Sequence, residues 1–224
     1  MDTAVPRYHT NYHTSTAYHN KYCADVLAAI KNDAYDSNFS VTTQKSQVWQ
    51  DAFIWRNLFA DRTAPGFFVD SGSAEGVIGS NSYFFEKCFG WRGLCVEPNE
   101  RFHRKLRAHR KCTIVPECIS NVSEIRTFYA DGFVSGVTRN ALQQPHANVS
   151  TIQCRPLPEM LQRARSSEAD AVSDGTSTHP LTIDLWSLDV EGFELAVLSS
   201  IDFTQLSVCA CKSWMTYNEL SLPV

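Results

Sequence analysis

Phe67-Phe68-Val69-Asp70-Ser71-Gly72-Ser73-Ala74-Glu75-Gly76 is an apolar run closed by a carboxylate and followed by a turn of small residues. An apolar run without polar alternation reads as a strand buried on both faces of a parallel sheet. Glycines directly after it let the backbone turn sharply and approach a ligand closely. Downstream, Gly93-Leu94-Cys95-Val96-Glu97 repeats the pattern, and Glu97 stands 27 positions after Asp70. An acidic residue at the end of the second strand suits a pair of hydrogen bonds to a ribose diol.

On the N-terminal side of this strand, Gln44 to Phe59 carries Val48, Phe53, Ile54, Leu58 and Phe59 at helical spacing. Pro65-Gly66 breaks that helix. Residues 80–89 form the next helix, with Ser80 or Asn81 as its cap. Residues 100–110 (ERFHRKLRAHR) form a basic helix after Pro98-Asn99, and Thr113-Ile114-Val115 starts a third strand. Residues 124–139 read as a hairpin with Asp131-Gly132 at its turn. A helix over 158–165 and a polar loop over 166–179 lead to a fourth strand, Leu181 to Leu188, closed by Asp189. A helix from Phe193 to Ser200 and a fifth strand, Leu206 to Cys211, complete the pattern. Alternating strands and helices define an α/β fold: a Rossmann-like, open, mostly parallel sheet with helices on both faces. Ligands in such sheets bind at the carboxyl ends of the strands, where Asp70, Glu97 and Asp189 all fall.

Composition limits the function classes. The chain has 224 residues, 43% hydrophobic and 20% charged, with a net charge of −4. These values exclude a disordered chain and offer no basic stripe for nucleic acid. The most apolar stretch, Leu181 to Leu198, contains Asp184, Asp189, Glu191 and Glu194, so no membrane span is expected. The polar N-terminus lacks the apolar core of a signal peptide, which predicts a cytoplasmic protein. The eight cysteines include no CxxC pair and mostly sit in apolar runs, so they are expected to be buried core thiols, with no metal bound. Cys209-Ala-Cys211 is the closest pair; on a strand both thiols share a face.

Residues 1–43 read as a polar, partly disordered leader containing a short helix, Ala24 to Ile30. A metal-binding tail built on His9, His13 and His19 is the competing reading. The core domain spans 44–212, followed by a short tail, 213–224. Trp55, Trp91 and Trp186 are expected in the core. His103, His109, Arg101, Arg104, Lys105, Arg107, Arg110 and Lys111 read as a solvated helix face, or alternatively as a patch for an acidic partner. The N-x-S triplets at Asn38, Asn121 and Asn148 matter only in a secreted chain and are not expected to be modified.

The first motif departs from the dinucleotide fingerprint, because Ala74 stands two residues after Gly72 and Glu75 would repel a pyrophosphate. A nucleoside cofactor without phosphates fits better, and S-adenosyl-L-methionine is the one expected. The stretches 47–59, 66–76, 80–99, 117–120 and 186–203 resemble the FkbM-type family of class I adenosylmethionine-dependent methyltransferases. The resemblance implies that Asp70, Gly72, Ser73, Glu75 and Gly76 form the loop around the methionine part. It implies that Glu97 holds the ribose and that Cys118 and Ile119 lie beside the adenine. Asp189 would stand next to the methyl-transfer position, with Glu191 two residues on. The implied activity is O-methylation of a small-molecule or glycan hydroxyl. Asp189 then acts as a base or positioning group, holds a cation with Glu191, or merely caps the next helix. Ser71-Gly72-Ser73 replaces the family's usual Ile-Gly-Ala, and Glu75 its usual Asp. Thirteen residues follow Cys211, too few for the family's last strands. The sheet is therefore expected to end at an open fifth strand, available for homodimerisation. A catalytically silent binding domain is the alternative function, and a nicotinamide-dependent oxidoreductase a more distant one.

Overall fold

A computed structural model describes residues 21–32, 45–46, 49–137, 148–169 and 181–213. Five parallel strands form the main sheet in the order β3-β2-β1-β7-β8. They are β1 (Phe67–Ser71), β2 (Arg92–Val96), β3 (Thr113–Val115), β7 (Leu181–Leu188) and β8 (Leu206–Ser213). Side chains alternate across each strand and feed two separate cores. Phe68, Cys95 and Leu185 pack on α1 (Lys21–Lys31), α2 (Gln50–Ile54), α3 (Tyr83–Phe89) and α4 (Glu100–His109). Val69, Leu94, Val96, Ile183, Trp186 and Leu188 pack on α5 (Leu157–Ala169) and α6 (Glu194–Ser199). The sheet is thus Rossmann-like with helices on both faces, as the alternating pattern predicts. Trp55, Trp91 and Trp186 are buried, also as expected.

Three local readings change. The hairpin expected over 124–139 forms only in part: the chain folds back around Asp131-Gly132 as far as one antiparallel bridge, Tyr129 to Gly136. Gly132–Val134 forms a 3-10 turn, and β5 (Glu124–Ala130) pairs antiparallel with β6 (Asn148–Arg155). With β4 (Cys118–Ile119) these strands make a second, small sheet. The aromatic helix also differs in part. Phe53 and Leu58 are exposed, while Ala52, Trp55 and Phe59 are buried, with Trp55 stacked on Phe89. Phe59 and the partly buried Ile54 keep the expected stripe on the core, while a π-helical turn over Trp55–Phe59 puts Trp55 there as well and leaves Leu58 outside. Lastly, α1 lies within the span read as leader, yet Cys23, Val26, Ala29 and Ile30 are part of the first core.

Six of the eight cysteines are buried, as expected, but as half-cystines rather than thiols. The pairs are Cys23–Cys88, Cys95–Cys112 and Cys118–Cys154. Partners lie 65, 17 and 36 positions apart in sequence. Spacing alone does not reveal connectivity, and packing brings these pairs together. Cys209 and Cys211 are free and exposed on β8. Among the described residues β8 is the outermost strand on its side of the sheet, and no helix is long and apolar enough to cross a membrane. The His9, His13 and His19 cluster, the tail beyond Ser213 and Asn38 lie outside the described residues.

Candidate functional site

The strand order changes direction between β1 and β7, and a crevice opens there at their carboxyl ends. A cavity of about 260 Å3 occupies it, just under the roughly 300–1,000 Å3 of small-molecule sites. Of the residues singled out in sequence, Asp70, Gly72, Ser73, Glu97, Cys118, Ile119, Asp189 and Glu191 line it. Glu75 and Gly76 do not. Glu75 turns outward to Lys105, 2.6 Å away on α4. Gly76 serves packing: at φ +84° a Cβ would lie 2.5 Å from Leu106 and 2.7 Å from Arg110. Gly72, at φ +83°, brings the turn against the end of β7, where a Cβ would lie 2.0 Å from the Asp189 carbonyl oxygen. Both positions therefore exclude a side chain.

Asp70 is buried and acts as a structural hub. Its Oδ2 accepts hydrogen bonds from Ser82 Oγ and, at 3.1 Å, from Ser80 Oγ. Arg110 Nη1 stands 3.5 Å away. The same guanidinium donates to Gly76 O at 3.0 Å and to Ser82 Oγ at 2.8 Å, and its Nε lies 3.2 Å from Glu86 Oε1. Arg110 thus leaves the solvated helix face on which the sequence placed it. His103 also turns inward, with Nε2 2.6 Å from Glu97 O. Arg101, Arg104, Lys105, Arg107, His109 and Lys111 do face solvent. Ser80 Oγ accepts from Tyr83 N at 3.1 Å, which helps start α3.

Glu97 is 5% exposed, and burial pushes its carboxyl up to about 7. Its Oε2 accepts from Ala74 N and its Oε1 from Asn99 N, both at 2.7 Å. Each carboxylate oxygen can accept a second hydrogen bond, so a diol would find one acceptor on each. Beside it, Asn81 is 2% exposed and donates from Nδ2 to Ser187 Oγ at 3.2 Å, while its Oδ1 lacks a partner. A buried acceptor without a partner is costly, and this one borders the cavity. Phe102 and Phe133 stack with centroids 5.2 Å apart and add an apolar wall.

At the end of β7, Asp189 Oδ2 lies 3.5 Å from Lys212 Nζ, on β8. Asp189 does not cap α6. Glu194 holds that loop instead, accepting from Val190 N at 2.8 Å and Gly192 N at 2.9 Å. Glu191 is half-buried with φ +57°. Burial, then the neighbouring Asp189 and Glu194 carboxylates, pushes it up to about 7. Burial likewise lowers the Lys212 ammonium. Among the described residues no three His, Cys, Asp or Glu side chains are grouped to hold a metal ion.

Asn81, Phe102, Phe133 and Lys212 escaped sequence reading. Locally, Asn81 reads only as a helix cap. Lys212 had one signal: it continues the inward alternation of Leu206, Val208 and Ala210, so a cation ends an apolar face. Phe133 had none, because the expected hairpin concealed the turn that carries it.

The site defines a Rossmann-like α/β protein with an acidic cavity at its switch point. No protein-family model and no curated protein matches the chain. Among solved structures, the methyltransferase FkbM from Methylobacillus flagellatus KT is similar over 81% of this chain and 40% of that one, with 15% identity and a TM-score of 0.35. The chain thus spans less than half the length of that protein.

Proposed function

We propose that the chain is an S-adenosyl-L-methionine-dependent methyltransferase acting on oxygen in a small molecule or glycan. One observation carries this reading: the ends of β1, β2 and β7 bring Glu97, the unpartnered Asn81 Oδ1, Asp189 and Glu191 around one cavity. The donor set suits this cofactor. Glu97 offers acceptors for a ribose diol, Asn81 Oδ1 one for an ammonium head, and Ile119 with Phe102 and Phe133 an apolar wall for a base. When bound, adenosylmethionine supplies an electrophilic methyl group. The chain's residues then have to position an acceptor hydroxyl and take its proton. Glu191, titrating near neutrality, is matched to that proton transfer. Asp189, beside Lys212, orients the acceptor.

Calorimetric titration with adenosylmethionine tests the cofactor site. Micromolar-range binding is expected, weakening as pH falls through about 7, because a protonated Glu97 cannot accept from both hydroxyls. Glu97→Gln should weaken binding and flatten that pH dependence. No binding by folded protein would remove the assignment. Binding without turnover on any acceptor would favour the silent-domain reading.

Glu191→Gln should leave cofactor affinity intact and lower turnover roughly 10²–10⁴-fold. Asp189→Asn should lower turnover but keep an acidic limb from Glu191, moved to lower pH because one of the carboxylates that raise Glu191 is gone. Measured kcat profiles for both variants separate base from positioning group. Unchanged turnover in both would eliminate the catalytic assignment.

A further inference from the structure

The N-x-S triplets remain outside the proposed chemistry, and the disulfides change their meaning. Three disulfides in one chain are characteristic of oxidising compartments and rare in the reducing cytosol. Six cysteines, all buried, are committed to them. The same compartments house N-linked glycosylation of Asn-x-Ser triplets with x other than proline. Asn121-Val122-Ser123 and Asn148-Val149-Ser150 both satisfy that rule, and all six residues are exposed.

We propose that Asn121 and Asn148 are acceptors of N-linked glycans on a chain that folds in an oxidising, secretory-type lumen rather than in the cytosol. Their placement supports this. Asn121 lies in the bend between β4 and β5, and Asn148 opens β6, where its backbone pairs with Ala130. They stand at opposite ends of the β5–β6 ribbon, and neither lines the cavity. Glycans there leave the proposed site open. Each acceptor also has exposed apolar neighbours: Val122 is 48% and Ile125 71% exposed near Asn121, and Val149 60% beside Asn148. Bulky, solubilising sugars cover such surface. The Cys118–Cys154 disulfide closes the ribbon three residues before Asn121, joining the oxidative and glycan features in one element.

The transfer requires a lipid-diphosphate-linked oligosaccharide as donor. The asparagine Nδ2 bonds to the anomeric carbon as that carbon's bond to the diphosphate breaks. The diphosphate leaves with the electron pair, and Nδ2 loses one proton to the transferase. Each disulfide forms as two thiols give two electrons and two protons to an oxidant disulfide of the lumen.

The test uses native protein from its source cells, blocked with an alkylating agent before any reduction, then mapped by mass spectrometry with and without a peptide amidase that removes N-glycans. Expected are glycopeptides at Asn121 and Asn148, their conversion to Asp by the amidase, and six cysteines protected from alkylation. Asn121→Gln and Asn148→Gln, returned to the same cells, should each remove one step of the amidase-sensitive gel shift. Occupancy of either asparagine together with the protected cysteines supports the proposal. Both asparagines unmodified, or all six cysteines alkylated without reduction, overturns it.

Discussion

Arg110→Met is expected to cost roughly 3–5 kcal/mol of folding free energy, the range for removing one partner of a buried ion pair. Arg110 and the Asp70 and Glu86 side chains it serves are almost fully buried. Methionine keeps much of the aliphatic stem that packs near Phe68 and Tyr83, so packing loss is small. Two carboxylates then remain inside with fewer compensating donors. Asp70 keeps the Ser80 and Ser82 hydroxyls, and Glu86 keeps the Lys111 and Cys112 amides. Those neutral donors do not replace a cation. Urea denaturation measures the loss. The triple variant Asp70→Asn, Glu86→Gln, Arg110→Met should recover much of it, because no uncompensated charge is left. A cost below about 1 kcal/mol, the value of an exposed pair, would mean that water reaches the cluster. Arg110 also ties Gly76 O and Ser80 to Asp70, so the single variant should weaken cofactor binding as well.

The second large effect is expected on opening Cys23–Cys88. The bond joins α1 to α3 across 65 positions. Loop-closure entropy of that length predicts roughly 4 kcal/mol. Cys23→Ala with Cys88→Ala should therefore lower the denaturation midpoint strongly and make α1 the first segment cut by protease. An unchanged midpoint would show that Val26, Ala29 and Ile30, all buried, hold α1 by packing alone. Reduction of the unmutated chain should reproduce the loss and add that of the other two bonds. Such dependence on oxidation would agree with a luminal folding site.

Strand β1 was legible because a buried parallel strand is apolar on both faces, and Phe67 to Asp70 needs no partner to be recognised. The same holds for β2 and β7. Strand β6 was not legible. Asn148 to Thr151 are polar or exposed, so neither alternation nor an apolar run marks them. Asp131-Gly132 suggests a tight hairpin, but the 3-10 turn there is closed by a single bridge, Tyr129 to Gly136, and the ladder of β5 forms with a later segment. Register between β5 and β6 is a long-range choice, and local turn chemistry does not set it.

The candidate site divides in the same way. Glu97 and Asp189 could be placed because each ends a recognisable strand, and strand ends share one rim. Asp70 also sits there, but its carboxylate is engaged by Arg110 and two serines. That role depends on α4 returning Arg110 to the loop after β1. Glu75 and Gly76 belong to the motif in sequence, yet one turns outward and the other packs on Leu106, since a turn divides its residues between two sides.

Strand periodicity and strand-end residues are local properties, so the parallel α/β sheet and the acidic residues on its rim could be read from the residues alone. The strand order that sets the switch point, the disulfide partners, the burial of Arg110, the Lys212–Asp189 pair and the unpartnered Asn81 oxygen become visible only in the folded chain. Each depends on distances between segments far apart in the chain, which are set when both faces of the sheet close over their cores.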